Sequence, residues 1–375
     1  MSVRFDVVVV GGGVIGCSVA YHLAKKRARV VVIERDLLGG QASSVAAGML
    51  AAQEEAAKPG PFFDAGVASR DMFKDLVADV KADSGIDPEF ETCGIWRIAE
   101  TEDEKKALLE KKRWQEERGM PVEWWTPETL KEKIPALRGP VLGGIFCPRD
   151  GQVDSAKWVR GLAEASRYRG VRVVERVARV EFVREGGEVK GVRTLEETFL
   201  ADAVVIAAGS WTPFLLQDLG VTLPLEPVKG QLLVLEGFPR LLPGPLFVGG
   251  GYFAPKFNRL IVGGTMEKAG FDVRPTLSAQ RKLSEYAVRW CPELDDRQVV
   301  DHWAGLRPGS ADDMPVIGAL RGHVGAYVCA GHFRNGVLFS PLTGRLMAEG
   351  LAEGRWDPIL NAFSPDRFLG AGKKN

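Results

Sequence analysis

Residues 5–34 read FDVVVVGGGVIGCSVAYHLAKKRARVVVIE. "FDVVVV" (5–10) is an unbroken β-branched run, the pattern of a parallel strand buried on both faces. "VIGCSVAYHLAKKRA" (14–28) has helical spacing, with Ile15, Val19 and Leu23 on one face and basic residues near its end. "RVVVIE" (29–34) is a second buried strand. Between the first strand and the helix lies Gly11-Gly12-Gly13-Val14-Ile15-Gly16, a G-x-G-x-x-G, and Glu34 closes the second strand. With 44 glycines in the chain such a string arises by chance, so context decides its meaning. Here the context is complete: strand before, helix after, second strand, terminal acid. Gly11 permits the tight turn, Gly13 lets backbone N–H groups approach a pyrophosphate, and Gly16 lets helix and sheet pack closely. The helix N-terminus offers partial positive charge to phosphates. Glu34 is suited to ribose hydroxyls and disfavours a 2′-phosphate. The stretch predicts a βαβ unit that binds an ADP moiety.

The rest of the chain limits what surrounds that unit. At 375 residues it is long for one core, so two domains are expected. Lys+Arg and Asp+Glu are equal at 49 each, with no long block of one sign, which argues against a nucleic-acid partner. "EDEKKALLEKKRWQEERG" (102–119) mixes charges at helical spacing and reads as a solvated helix face. The five cysteines (17, 93, 147, 291, 329) are scattered and form no C-x-x-C. They fit neither a disulfide framework nor a thiolate zinc site, and point to a reducing cytoplasm. Four histidines without metal spacing argue against a metal centre. The apolar run Val7 to Val10 is too short for a signal peptide, Asp6 abuts it, and no stretch reaches membrane-spanning length.

A second nucleotide-type segment follows in the middle of the chain. "VRVVE" (171–175) reads as a strand, and residues 177–194 as a hairpin with Gly186-Gly187 in its turn. "ADAVVIAAGSW" (201–211) is a buried strand running into Ala207-Ala208-Gly209, where missing side chains permit close backbone approach. This order resembles the D-amino-acid oxidase class of FAD-binding oxidoreductases. "SSVAAGML" (43–50), "WAGLRPG" (303–309) and "GHFRNG" (331–336) resemble its glycine oxidase branch, and the similarity runs from Phe5 to about Phe363. The implied fold is α/β: a Rossmann-like FAD-binding domain of the glutathione-reductase-like, D-amino-acid oxidase type, with a second α+β substrate domain. The FAD domain is expected to be discontinuous, over 1–86, 151–216 and 305–366. The substrate domain would cover 87–150 and 217–304, and a tail 367–375.

The resemblance also implies a site. Cofactor contacts fall on Gly11, Gly13, Val14, Ile15, Gly16, Glu34, Arg35, Ala42, Ser43, Ala47, Gly48, Met49, Val177 and Gly209. His332, Phe333, Arg334, Asn335, Gly336, Val337 and Leu338 would line the flavin, followed by a helix from about Pro341. Arg307, which Pro308 biases toward extended backbone, matches an arginine that clamps the substrate carboxylate. Arg334 matches a second active-site arginine, and Tyr252 and Met266 match walls of the substrate pocket. Gly249-Gly250-Gly251 departs from the branch's pattern before that tyrosine. Gly305 and Leu306 stand where some sarcosine-oxidising relatives carry a flavin-linking cysteine, so FAD is expected to be noncovalent.

The implied activity is oxidative deamination of glycine, sarcosine or D-alanine by hydride transfer from a neutral amine, with oxygen as acceptor. Products would be a keto acid, ammonia or an amine, and hydrogen peroxide, and the glycine imine could serve thiamine thiazole synthesis. A general D-amino-acid oxidase and a quinone-linked dehydrogenase are alternatives on the same scaffold. An electron-relay flavoprotein subunit is a third, which two arginines at the site disfavour. A homotetramer follows from the resemblance alone.

Overall fold

The computed structural model describes residues 2–237 and 239–369. Strands Ser2–Val10 and Val30–Ile33 pair in parallel, with the helix Val14–Lys25 between them. The helix stops short of residue 28 because Arg27 turns into the left-handed region, at φ 64°. Parallel strands Ala326–Ala330 and Thr198–Ile206 extend the sheet on one side and Arg172–Val174 on the other. The hairpin Glu181–Glu185/Glu188–Arg193 adds antiparallel pairing to Thr198–Ile206. Gly186 and Gly187, at φ 59° and 85°, supply the positive φ its tight turn requires.

The unbroken valine run has a plain physical cause. Val7 and Val9 enter one core, packed against Val14–Lys25, Ser155–Tyr168 and Gly336–Glu353. Val8 and Val10 enter a second core on the opposite face, with Leu216 and Leu219. Both faces are covered, so alternation is lost.

A second sheet of eight strands lies beside the first. It runs Val299–Ser310, Leu225–Glu236, Arg259–Gly263, Gly251–Pro255, Leu246–Val248, Ile95–Ala99, Gly143–Cys147, Glu123–Trp125. The short pair Met49–Leu50/Gly151–Gln152 forms a separate two-stranded sheet. The expected domain break at 304/305 falls inside the strand Val299–Ser310. That strand pairs with Leu225–Glu236 from Val299 to Ser310, so Gly305 to Ser310 belong to the second sheet. Of the expected tail, residues 370–375 lie outside the described residues, while Arg367 is anchored to Asp312 at 2.8 Å. Residues 102–117 form the expected helix, opened by a Thr101/Glu104 capping box.

The helix expected from Pro341 begins earlier, at Gly336, and carries the proline inside it. Pro341 has no N–H for the Val337 carbonyl, and the Ser340 hydroxyl donates to that oxygen instead, at 2.8 Å. One residue on, the Ser69 hydroxyl donates to Leu338 O (2.6 Å) and accepts from Leu342 N (3.2 Å). Two hydroxyls thus repair the ladder, and the helix starts five residues nearer the sheet than the proline suggests.

Candidate active site

A cavity of about 510 Å³ runs between the two sheets. At one end the βαβ turn forms its wall. Gly11 has φ 112°, and a Cβ there would lie 2.4 Å from Ala207 O. A Cβ on Gly16 would lie 1.9 Å from Gly11 O, so helix and strand touch through this glycine. Gly16 itself is packed behind the cavity wall, while Gly11, Gly13, Val14 and Ile15 line it. Glu34 accepts from Gly12 N (2.6 Å) and Asp36 N (2.8 Å), which fixes its carboxylate against the glycine turn. Each oxygen keeps a lone pair for a hydroxyl. Ser43 Oγ accepts from Val14 N at 2.9 Å, covering one first-turn N–H of a helix that has no cap from Gly13. Arg35 lies over the Trp211 ring at 4.5 Å. Ala42, Ala47, Gly48, Met49, Val177 and Gly209 also face the space.

The helix Gly336–Glu353 also presents its N-terminus to the cavity, with no side-chain cap from Asn335. It lies against Val14–Lys25 so closely that a Cβ on Gly344 would sit 2.4 Å from Ser18 Oγ. Two helix N-termini therefore open side by side into one cavity and give it positive potential without a side-chain charge. His332, Phe333, Arg334, Asn335, Gly336 and Val337 line this part. Leu338 does not, being turned into the core at 1% exposure. His332 bonds Thr343 Oγ1 at 3.1 Å, and burial pushes its imidazole down to about 3, so the ring is neutral. Phe333 holds a left-handed φ of 48°, a strained conformation that lets the turn enter the helix.

These features fit FAD. The glycine cradle would be filled by any Cβ, the acid faces the nucleotide end, and the uncapped helix ends suit phosphates and an electron-rich ring. Among the described residues no cluster of side chains could hold a metal ion, and no helix is long and apolar enough to cross a membrane. The five cysteines are free. Cys329 alone of them borders the cavity, and burial pushes its thiol far above the usual range.

Arg307 and Tyr252 stand together in the cavity wall, and a Cβ on Gly264 would lie 3.1 Å from Arg307 Nη2 and 3.4 Å from the Tyr252 ring. Arg307 donates to Thr265 O at 3.0 Å and has no carboxylate partner among the described residues. Burial pushes the Tyr252 phenol up, with the Arg307 charge opposing, so it remains protonated. Gly249 and Gly250 form the turn before it, with φ 57° and 77°. Met266 is not brought to this place: it is 60% exposed and lies outside the cavity wall. Its neighbours explain why. Thr265 Oγ1 accepts from Gln231 N (2.9 Å) and Glu267 accepts from Gln231 Nε2 (2.9 Å), and the residue between them faces away.

Arg334 is also not free. Its Nη2 reaches Glu55 Oε2 at 2.7 Å, and Glu55 lines the cavity beside Tyr252. The sequence reading missed Glu55. The adjacent Glu54 is paired with Arg97 and lies 4.0 Å from Lys111. Burial opposes the Glu54 charge, but these cations outweigh it and hold the carboxyl below its usual range. For Glu55, burial and the Glu54 charge together push the carboxyl up, against Arg334. The only sequence signal was two adjacent acids within an alanine-rich run, "AAQEEAA" (51–57).

Comparison with known proteins gives this arrangement its context. Residues 6–350 match the family model described as FAD dependent oxidoreductase (DAO). The chain is 35% identical to the glycine oxidase of Geobacillus kaustophilus over 373 residues, 99% of each chain. It is 34% identical to the bifunctional protein ThiO/ThiG of a Synechocystis strain, covering 98% of this chain and 55% of that one. The crystal structure of glycine oxidase from Geobacillus kaustophilus superposes with a TM-score of 0.92 at 34% identity, covering 98% of this chain and 100% of that one. With its paired helix ends, its acid-closed glycine turn and this full-length similarity, the chain belongs to the FAD dependent oxidoreductase family, in its glycine oxidase branch.

Proposed function

We propose that this protein oxidises glycine and related small amines such as sarcosine and D-alanine, with noncovalent FAD and oxygen. The glycine imine it forms would serve thiazole synthesis for thiamine. The observation that carries this reading is Arg307, a cavity-lining guanidinium with no carboxylate partner among the described residues. Its planar fork matches a carboxylate in two-pronged fashion and would fix the substrate's α-carbon. Tyr252, kept protonated by burial, stands beside it with a phenol proton to donate to the substrate. FAD, when bound, supplies the acceptor for the hydride and passes the electrons to oxygen as hydrogen peroxide. The two helix N-termini stabilise negative charge in the middle of the cavity. A neutral substrate amine needs no enzyme base, and His332, neutral and tied to Thr343, is not built as one. The small amine and oxygen are the partners this reading requires, and the resemblance adds a cytoplasmic homotetramer.

The test is peroxide formation from glycine by purified protein, followed by acid precipitation. Yellow supernatant with free FAD supports a noncovalent cofactor; a yellow pellet with colourless supernatant refutes it. Faster oxidation of D-phenylalanine than of glycine would replace the small-amine reading with a general D-amino-acid oxidase.

A further inference from the structure

The end of the cavity that holds Arg307 contains a second arginine whose charge is already met. Arg334 reaches Glu55 at 2.7 Å, and the Glu55 side chain is only 9% exposed. Glu55 is held in place from behind. It ends the short helix Ala52–Glu55, and Asp150, fully buried, accepts from the helix's Gln53 N (3.1 Å) and Glu54 N (3.2 Å). Arg70, 4% exposed, pairs with Asp150 at 2.8 Å and donates to Gln53 Oε1 at 2.9 Å. Glu54 pairs with Arg97 through Oε1, and its backbone carbonyl accepts from Lys111 Nζ, so its carboxylate faces a different cation from Glu55.

Resting on the reading that a small amino acid binds at Arg307, we propose that Glu55 is a specificity-determining residue. By neutralising Arg334 it leaves one uncompensated cation, which suits a substrate with one carboxylate and turns away one with two. A second carboxylate near Glu55 meets a like charge and an arginine already engaged. Asp150 and Arg70 are positioning residues, since they act through the backbone of the helix that carries Glu55.

The test compares acetate with malonate, which differ by one carboxylate, as ligands of the holoprotein in calorimetric titrations at about pH 8.5, well above the ordinary carboxyl range. Glu55→Gln frees Arg334 and is expected to tighten malonate relative to acetate by about tenfold or more. Adding Arg334→Gln to it should return the ratio to within about threefold of wild type. The same substitution should raise kcat/KM for iminodiacetate relative to sarcosine. A merely structural role would weaken both ligands together and leave the ratios unchanged, and unchanged ratios overturn the proposal. Should Glu55→Gln fail to fold, Arg334→Gln alone exposes the Glu55 charge and must shift malonate the other way, weaker relative to acetate by about tenfold; no shift again overturns it. A wild-type protein that makes no peroxide from glycine refutes the proposed activity, while the malonate-to-acetate comparison still judges the charge argument.

Discussion

Two glycines make room for Arg307. A Cβ on Gly230 would lie 2.1 Å from its Nη1, and one on Gly264 would lie 3.1 Å from its Nη2. The guanidinium is therefore held beside the bare backbone of the strand Leu225–Glu236 and of the turn that follows Arg259–Gly263, with Thr265 O as its fixed acceptor. Replacing Arg307 with Ala should leave FAD bound and lower kcat/KM for glycine by about 2–5 kcal/mol, roughly 30-fold to several thousand-fold. Lysine should restore only part of this, because a point charge lacks the fork. Steady-state kinetics on flavin-replete protein checks both. Met266→Ala, at an exposed position, should change kcat/KM and stability by no more than about 0.5 kcal/mol; a large shift toward bulkier substrates would return Met266 to the pocket. The contrast shows what a motif conveys about single residues. The place of Arg307 in the cavity wall could be anticipated because its neighbours "GLRPG" are local in sequence. Glu55 was not, because it meets Arg334 across 279 positions, held by Asp150 from a third segment.

Elements were easier to read than their ends. The valine runs identify buried strands because two-faced burial imposes them, and the glycine pair identifies the hairpin because its turn needs positive φ. The start of the helix Gly336–Glu353 was misplaced for an equally physical reason: proline normally opens a helix, and nothing local announces that Ser340 and Ser69 will serve the broken ladder. That repair is testable. Ser340 Oγ donates to Val337 O and accepts from the buried Trp158 Nε1 at 3.1 Å. Ser340→Ala orphans both groups and should cost about 1–3 kcal/mol in unfolding free energy, with weaker FAD binding because Val337 borders the cavity. Gly16→Ala is expected to act more directly. Its methyl would have to displace the Gly11 turn, so FAD affinity, measured by titration of apoprotein, should fall more than substrate affinity. A variant that binds FAD normally would break the link between close packing and the phosphate cradle.

At the scale of the whole molecule, cysteine usage and the balanced charge set broad limits on the chain, but neither indicates how the two sheets are joined. Part of that joint is a buried lysine. Lys256 is 5% exposed and donates to Gln152 Oε1 (2.8 Å) and Val153 O (2.9 Å), bringing the end of the strand Gly251–Pro255 to the segment that backs Gly48 and Met49. Both partners are neutral, and burial pushes the ammonium down from 10.5 to about 7, with Asp154 only partly opposing. The sign follows from proton counting. Between about pH 7 and 10.5 the unfolded chain holds the lysine's proton while the folded chain has lost it, so the unfolded state binds more protons and this lysine's contribution to stability rises with pH. Below about 7 both states are protonated, and the burial penalty is full and constant. Lys256→Met, of similar length and without charge, removes that dependence. Denaturant unfolding of wild type and variant should then show a stability difference that moves in favour of wild type by at most about 1.4 kcal/mol per pH unit across the window. It should be flat below the window. A difference independent of pH from 7 to 10 would mean that the lysine keeps its proton in the folded protein, and that water or the Asp154 carboxylate compensates it at the joint.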